Sequence, residues 1–246
     1  EGGAVGWVAD HRRHHAHSDE PEDTHTPRQG FAWAHMFWWM TPDITSRHTP
    51  EYLKRWAPDL YKDKVHVYLD RYHLVFPIAL FAALYAIGGW SYLVWGGFVR
   101  TVLVLHTTWL VNSATHVWGY RSHPTRDDST NLWWVALLTY GEGWHNNHHA
   151  YQTSARHGMA WWEIDATYMF IKLMESLGIA YAIKMPKIRT AGGDGASLEP
   201  RPGLSSAAIA ASTSGSGDSS GEESEFSEGG FVEEEEDDAE LVGARR

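Results

Sequence analysis

Apolar and polar positions divide the chain into blocks of distinct character. Residues 7–25 (WVADHRRHHAHSDEPEDTH) are polar and rich in histidine. Phe31 to Met40 (FAWAHMFWWM) is apolar and aromatic but short, which suits an interfacial or buried segment better than a membrane crossing. Thr49 to Arg71 is amphipathic and charged, with Lys54, Arg55, Lys62, Lys64 and Arg71. Leu74 to Val111 then runs 38 residues with one charge, Arg100. A bilayer core is crossed by about 20 helical residues, so a single helix of this length is too long. Gly88-Gly89 and Gly96-Gly97 offer breaks, and the pattern predicts two spans, near 73–88 and 91–112, joined as a helical hairpin. Asn131 to Tyr140 and Met159 to Ile183 are Trp-rich or amphipathic, and both predict helices against a membrane or on a cap above it. From Thr190 the chain turns to Gly, Ser and Ala and then to an acidic run, Glu233 to Asp238. So little apolar surface cannot offset the entropy of ordering, and 190–246 reads as a disordered acidic tail behind a folded region, 1–189.

Composition sharpens this picture. The 246 residues include sixteen His, fourteen Trp and no Cys. The tryptophans suit membrane-interface belts. Without cysteine there is no disulfide framework, thiolate zinc site or iron–sulfur cluster. Of 31 acids and 20 bases, 14 acids and 3 bases lie beyond Arg189, so residues 1–189 hold 17 of each and are neutral. The first residues, Glu1-Gly2-Gly3-Ala4, lack the basic region and apolar core of a leader and carry no initiator Met, so the chain reads as N-terminally truncated.

Two segments share the pattern HxxHH: His11, His14 and His15, then His145, His148 and His149. On a helix the positions i, i+3 and i+4 fall on one face, so each presents three imidazoles together. At this histidine frequency chance supplies such a triplet about 0.07 times per chain. A third element, Asn112 and His116, lies one turn apart at the predicted exit of the second span. Two spans return the chain to the side it left, so all three elements can share one pocket. Basic residues flank the hairpin (Lys62, Lys64, Arg71, then Arg121 and Arg126), which makes that side cytosolic or stromal. Seven imidazoles with no thiolate suit iron, zinc or copper, and seven ligands are more simply shared by two ions than held by one. His17, His25, His35, His48, His66, His73, His123 and His157 lack partner spacing and read as structural or exposed, and His106 as a hydrogen-bonded histidine inside the second span.

DHRRHHAHSD (10–19), HTTWLVNSATHVWGYR (106–121), GEGWHNNHHAYQTSARHG (141–158) and WWEID (161–165) together resemble the membrane fatty-acyl desaturases of the Δ9 acyl-CoA and acyl-lipid type, most of all the cyanobacterial and plastid members. The resemblance implies an all-α, multi-pass membrane protein with a transmembrane helical hairpin and a cytosolic or stromal helical cap holding a diiron site. It implies His11, His14, His15, His116, His145, His148 and His149 as iron ligands, Asn112 as a ligand through water, and no catalytic residue beyond them. The implied reaction places a cis double bond in a saturated acyl chain, using dioxygen and two external electrons. The substrate would be acyl-CoA or an acyl-lipid and the donor cytochrome b5 or ferredoxin; the enzyme would sit in lipid, in a plastid membrane or alternatively the endoplasmic reticulum, with no nucleic-acid partner. The family has an earlier HxxxxH box and two further spans, absent here, so this fragment alone is expected to be metal-deficient or inactive and the parent protein active. A membrane diiron hydroxylase, or an inactive metal-binding membrane subunit, are the alternatives.

Overall fold

The computed structural model describes residues 2–41 and 47–186. The acidic tail expected over 190–246 lies outside the described residues. Among the described residues the chain is helical with no strand; only isolated bridges, Tyr120 to Asn131 and Asn131 to Trp144, tie loops together.

Helix α1 (Ala4–His17) carries the first histidine triplet. Gly3 at its N-cap offers no side-chain acceptor. Asp70, far along the chain, takes that role: its Oδ1 accepts from the Val5 N–H at 2.7 Å and the Gly6 N–H at 3.3 Å. The amphipathic stretch folds as three short helices, α3 (Pro50–Trp56), α4 (Pro58–Lys62) and α5 (Lys64–Arg71), after α2 (Phe31–His35). Proline opens α3 and α4, where its missing N–H costs nothing, and the Asp63 carboxylate caps α5. Val5 and Ala9 of α1 pack on Ala57, with Leu53, Trp56 and Leu60 around them. These helices are the buttress of α1.

The apolar run forms α6 (Val75–Tyr92), a wider-bored π segment Leu93–Val99, and α7 (Arg100–Ser113), which tightens into a 3₁₀ turn, Ala114–His116. By length and composition, Val75–His116 qualifies as membrane-crossing, and it is the one such run among the described residues. It is not a straight rod. Gly88 and Gly89 leave helical geometry, Gly89 with φ +61°, which a side chain would disfavour. The Phe81 and Phe98 rings meet at 5.0 Å, whereas seventeen residues of straight helix would separate them by about 25 Å. The single charge is answered locally: Arg100 Nε donates to the Gly96 carbonyl at 2.9 Å.

Helix α2 packs against α7 through a polar link. His35 meets the Ser113 hydroxyl at 3.0 Å through Nδ1 and His106 Nδ1 at 3.0 Å through Nε2. A small core of Val111, Ala114, Leu132 and Val135 joins the end of α7 to α8 (Trp133–Leu138). The second triplet lies on the short helix α9 (His145–Ala150), which Gly143 brings close to α8: a Cβ there would stand 2.1 Å from the Ala136 nitrogen.

The amphipathic stretch Met159–Ile183 is helical only over α10 (Ala166–Ser176). Residues before it are a loop, because two buried carboxylates capture its N–H groups. Glu163 Oε2 accepts from Met159 N at 2.6 Å and Ala160 N at 2.8 Å; Asp165 Oδ2 accepts from His157 N at 2.7 Å and Gly158 N at 3.1 Å. Asp165 Oδ1 also caps α10 through Tyr168 N.

Candidate metal centre

The seven histidines converge in two groups. His11, His15 and His148 form one: His15 Nε2 lies 3.0 Å from His11 Nε2 and 2.8 Å from His148 Nε2, and His11 lies 3.3 Å from His148. His14, His116, His145 and His149, all buried, form the other: His149 Nε2 lies 3.4 Å from that of His14 and 3.0 Å from that of His145, which is 3.1 Å from His116. Each triplet is therefore divided. Adjacent histidines on α1, and adjacent histidines on α9, face different groups.

Asp23 Oδ1 accepts from His14 Nδ1 at 2.9 Å, Asp19 Oδ2 from His116 Nδ1 at 3.1 Å, and Asp127 Oδ2 from His149 Nδ1 at 2.8 Å. Placing the ring proton on Nδ1 leaves the Nε2 lone pairs pointing at one another. For His14, His116 and His149 this turns the Nε2 lone pairs into the group, an arrangement that a shared cation would satisfy. The distances fit: with metal–nitrogen bonds of about 2.1 Å, neighbouring ligand nitrogens stand about 3.0 Å apart at right angles and about 3.4 Å apart in a tetrahedron. The three carboxylates orient the rings and raise their basicity, a usual companion of metal-bound imidazole. They back only the group of four; His15 Nδ1 and His148 Nδ1 are buried with no hydrogen-bond partner among the described residues.

Burial pushes His11 down to about 3 and His15 to about 2, with neighbouring imidazoles adding to it, and pushes His145, His148 and His149 well below the ordinary histidine range. Neutral imidazole is the form that binds metal. Folded values below the unfolded 6.5 mean that protons are taken up on unfolding. For His11 and His15 the contribution to stability is complete above about pH 6.5 and is lost as the pH falls toward 3, on the order of 1 kcal/mol per pH unit each; His145, His148 and His149 act in the same direction. The melting temperature of the metal-free protein is accordingly expected to fall steadily from about pH 6.5 to about 4.5. A flat melting profile across that interval would mean the rings are open to water.

The asparagines of HNNHH anchor α9. Asn146 Oδ1 accepts from Ser122 N and His123 N, both at 2.8 Å. Asn147 Nδ2 donates to the His157 carbonyl and to Glu163 Oε2, both at 2.8 Å, and its Oδ1 accepts from Asn131 Nδ2 at 2.9 Å. These bonds hold a six-residue helix that could not stand alone.

Asn112 is half-buried and joins His11, Trp7, Trp38, Trp39 and Thr108 around a cavity of about 350 Å³. Two histidines without partner spacing also touch the centre. His25 is buried with its ring 4.2 Å from that of His14, and His157 lies 4.4 Å from His148. The carboxylates Asp19, Asp23 and Asp127 carried no sequence signal beyond the rule that a ligating imidazole needs an acceptor on its far nitrogen.

A family model described as fatty acid desaturase matches residues 3–181. The chain belongs to the fatty acid desaturase family. It is 50% identical over 186 residues to the sn-1 stearoyl-lipid 9-desaturase of Synechocystis, covering 76% of this chain and 57% of the relative. To the sn-1 stearoyl-lipid 9-desaturase of Anabaena variabilis it is 48% identical over 185 residues, 75% of this chain and 66% of that protein. To the chloroplastic palmitoyl-monogalactosyldiacylglycerol delta-7 desaturase of Arabidopsis thaliana it is 44% identical over 186 residues, 76% and 50% respectively. The chain spans roughly six tenths of the length of the curated relatives it matches.

Proposed function

We propose that this chain is the metal-binding part of a membrane fatty-acyl desaturase that places a cis double bond, at Δ9, in a saturated acyl chain. The convergence of seven imidazole nitrogens in two adjacent groups, within this family, carries the reading. His11, His15 and His148 would hold one iron, and His14, His116, His145 and His149 the other, with Asn112 reaching the first through water. Two irons there would supply the redox chemistry that an unactivated C–H bond requires. The overall change balances as two vicinal hydrogens, dioxygen, two external electrons and two protons giving an alkene and two waters. Ferredoxin or cytochrome b5 would deliver the electrons. The protein's own part is positional: Asp19, Asp23 and Asp127 hold ring orientation, while Trp7, Trp38 and Trp39 line a cavity beside His11 that would take the acyl chain.

The membrane placement rests on the exposed apolar run, where Ile87 is 76%, Trp90 69% and Trp95 67% exposed. Such a surface is unsustainable in water. With Gly88-Gly89 as its turn it would cross the bilayer twice, in a plastid membrane, as the chloroplastic relative supports, with the endoplasmic reticulum the alternative. These 246 residues hold no cysteine, so cysteines introduced among them report their own positions. Gln29→Cys and Thr153→Cys, both exposed and on either side of the apolar run, are expected to label from one face of the membrane and Ser91→Cys only from the other. Labelling of positions 29 and 153 from opposite faces would break the shared centre, since imidazoles cannot meet across about 30 Å of hydrocarbon.

Function is tested by expressing the whole protein in a desaturase-deficient host and profiling its fatty acids by gas chromatography. New monoenes with the double bond at C9 are expected. Hydroxylated acids, or no product from a well-expressed protein, would overturn the assignment.

A further inference from the structure

We infer that α4 and α5 form a binding site for the anionic headgroup of a bilayer phospholipid. A cleft of about 410 Å³ opens between them, lined by Lys62, Lys64, Val67, Tyr68, Arg71 and Tyr72. Lys64, Val67, Tyr68 and Arg71 stand at i, i+3, i+4 and i+7, so one stripe of α5 faces the cleft. Lys62, the last residue of α4, joins the lining.

The acids nearby are engaged elsewhere, which leaves this stripe cationic. Asp59 is paired with Arg12, Asp63 with His66 and the start of α5, and Asp70 with the N-terminus of α1. Among the described residues no ion pair is formed by Lys62, Lys64 or Arg71. Arg71 instead lies over the Tyr72 ring, 5.8 Å from its centroid, and the Tyr68 and Tyr72 rings meet at 4.7 Å.

Position selects the ligand. Arg71 is four residues before Val75, where the apolar run begins, so the cleft lies at headgroup depth. Val65 and Tyr68 are each 62% exposed on the same short helix. Cations beside exposed aromatic and aliphatic side chains match a phosphodiester whose acyl chains continue into the bilayer. Two turns of helix put Lys64 and Arg71 about 10 Å apart along its axis, enough to straddle one headgroup. A soluble phosphate would use the cations but not the apolar flank.

This site rests on the membrane placement proposed above, but not on iron or turnover, so the two readings fail separately. The test is a thermal-shift titration of the whole protein in neutral detergent. The ligands are dioctanoyl-phosphatidylglycerol, dioctanoyl-phosphatidylcholine and inorganic phosphate. Phosphatidylglycerol is expected to stabilise saturably and at least tenfold more tightly than phosphatidylcholine, with phosphate ineffective. Each basic residue near an anionic surface is worth about fivefold in binding, about 1 kcal/mol, so the triple variant Lys62→Gln/Lys64→Gln/Arg71→Gln is expected to weaken phosphatidylglycerol binding by about a hundredfold. Equal response to both lipids, an undiminished response in the triple variant, or full competition by phosphate would each overturn the site. If the triple variant does not fold, each single substitution is expected to weaken binding by about fivefold, and three unchanged singles would overturn it equally.

Discussion

Alanine in place of His148 is expected to abolish double-bond formation by the whole enzyme while leaving the protein in the membrane at its normal level. His148 Nε2 stands 2.8 Å from His15 and 3.3 Å from His11, so its loss removes one corner of a triangle. The substitution lies on α9, away from the apolar run, and among the described residues breaks no side-chain hydrogen bond outside the three imidazoles, since Nδ1 has no partner. Iron content should fall with activity, and the fatty-acid profile of the host should lose the new monoene entirely. A well-expressed variant with normal product would remove His148 from the centre.

Asp19→Asn is expected to lower metal affinity by 10- to 100-fold, about the cost of losing an orienting carboxylate behind a ligating histidine. Asp19 is buried, and its Oδ2 accepts from both His116 Nδ1 at 3.1 Å and the Asp128 N–H at 2.7 Å. Burial disfavours its charge, yet the His116 imidazole beside it and the hydrogen bonds from His116 Nδ1 and the Asp128 N–H outweigh that and hold its carboxyl below the ordinary range. Its backbone is left-handed, φ +62°, a conformation asparagine tolerates, so the exchange changes charge and not shape. Metal titration of the purified variant should show weaker loading that excess iron restores. Unaltered loading would mean Asp19 serves the loop alone.

Histidine spacing made six of the seven convergent imidazoles legible, because few other arrangements use HxxHH twice, and the seventh, His116, was legible only from its place one turn after Asn112 at the end of the apolar run. How they divide follows from helix geometry. At 100° per residue, i and i+4 are 40° apart and stay together, while i+3 lies 60° to the other side of i. Hence His11 and His15 share a group and His14 leaves it; His145 and His149 share the other and His148 leaves it. The orienting acids were not legible: Asp19 is 97 residues from His116, and Asp127 is 22 from His149. Long-range pairings of this kind have no periodic signature. Met159–Ile183 misled for a related reason. Its apolar rhythm continues through Met159 and Ala160, whose N–H groups are claimed by Glu163, and side-chain acceptors of that sort compete with helix.

The crossed supply of imidazoles has a mechanical consequence. Each of α1 and α9 gives two nitrogens to one cluster and one to its neighbour, so both clusters are gauged by the same two rulers. A slip or rotation of either helix would disturb both at once, and neither could drift apart from the other by small steps. A single inserted residue between His11 and His14 would turn the second half of the triplet by about 100° and spoil both clusters together. The two positions therefore stand or fall as a unit, and the spacing between them is a property of two short helices and the asparagines that bolt the second in place.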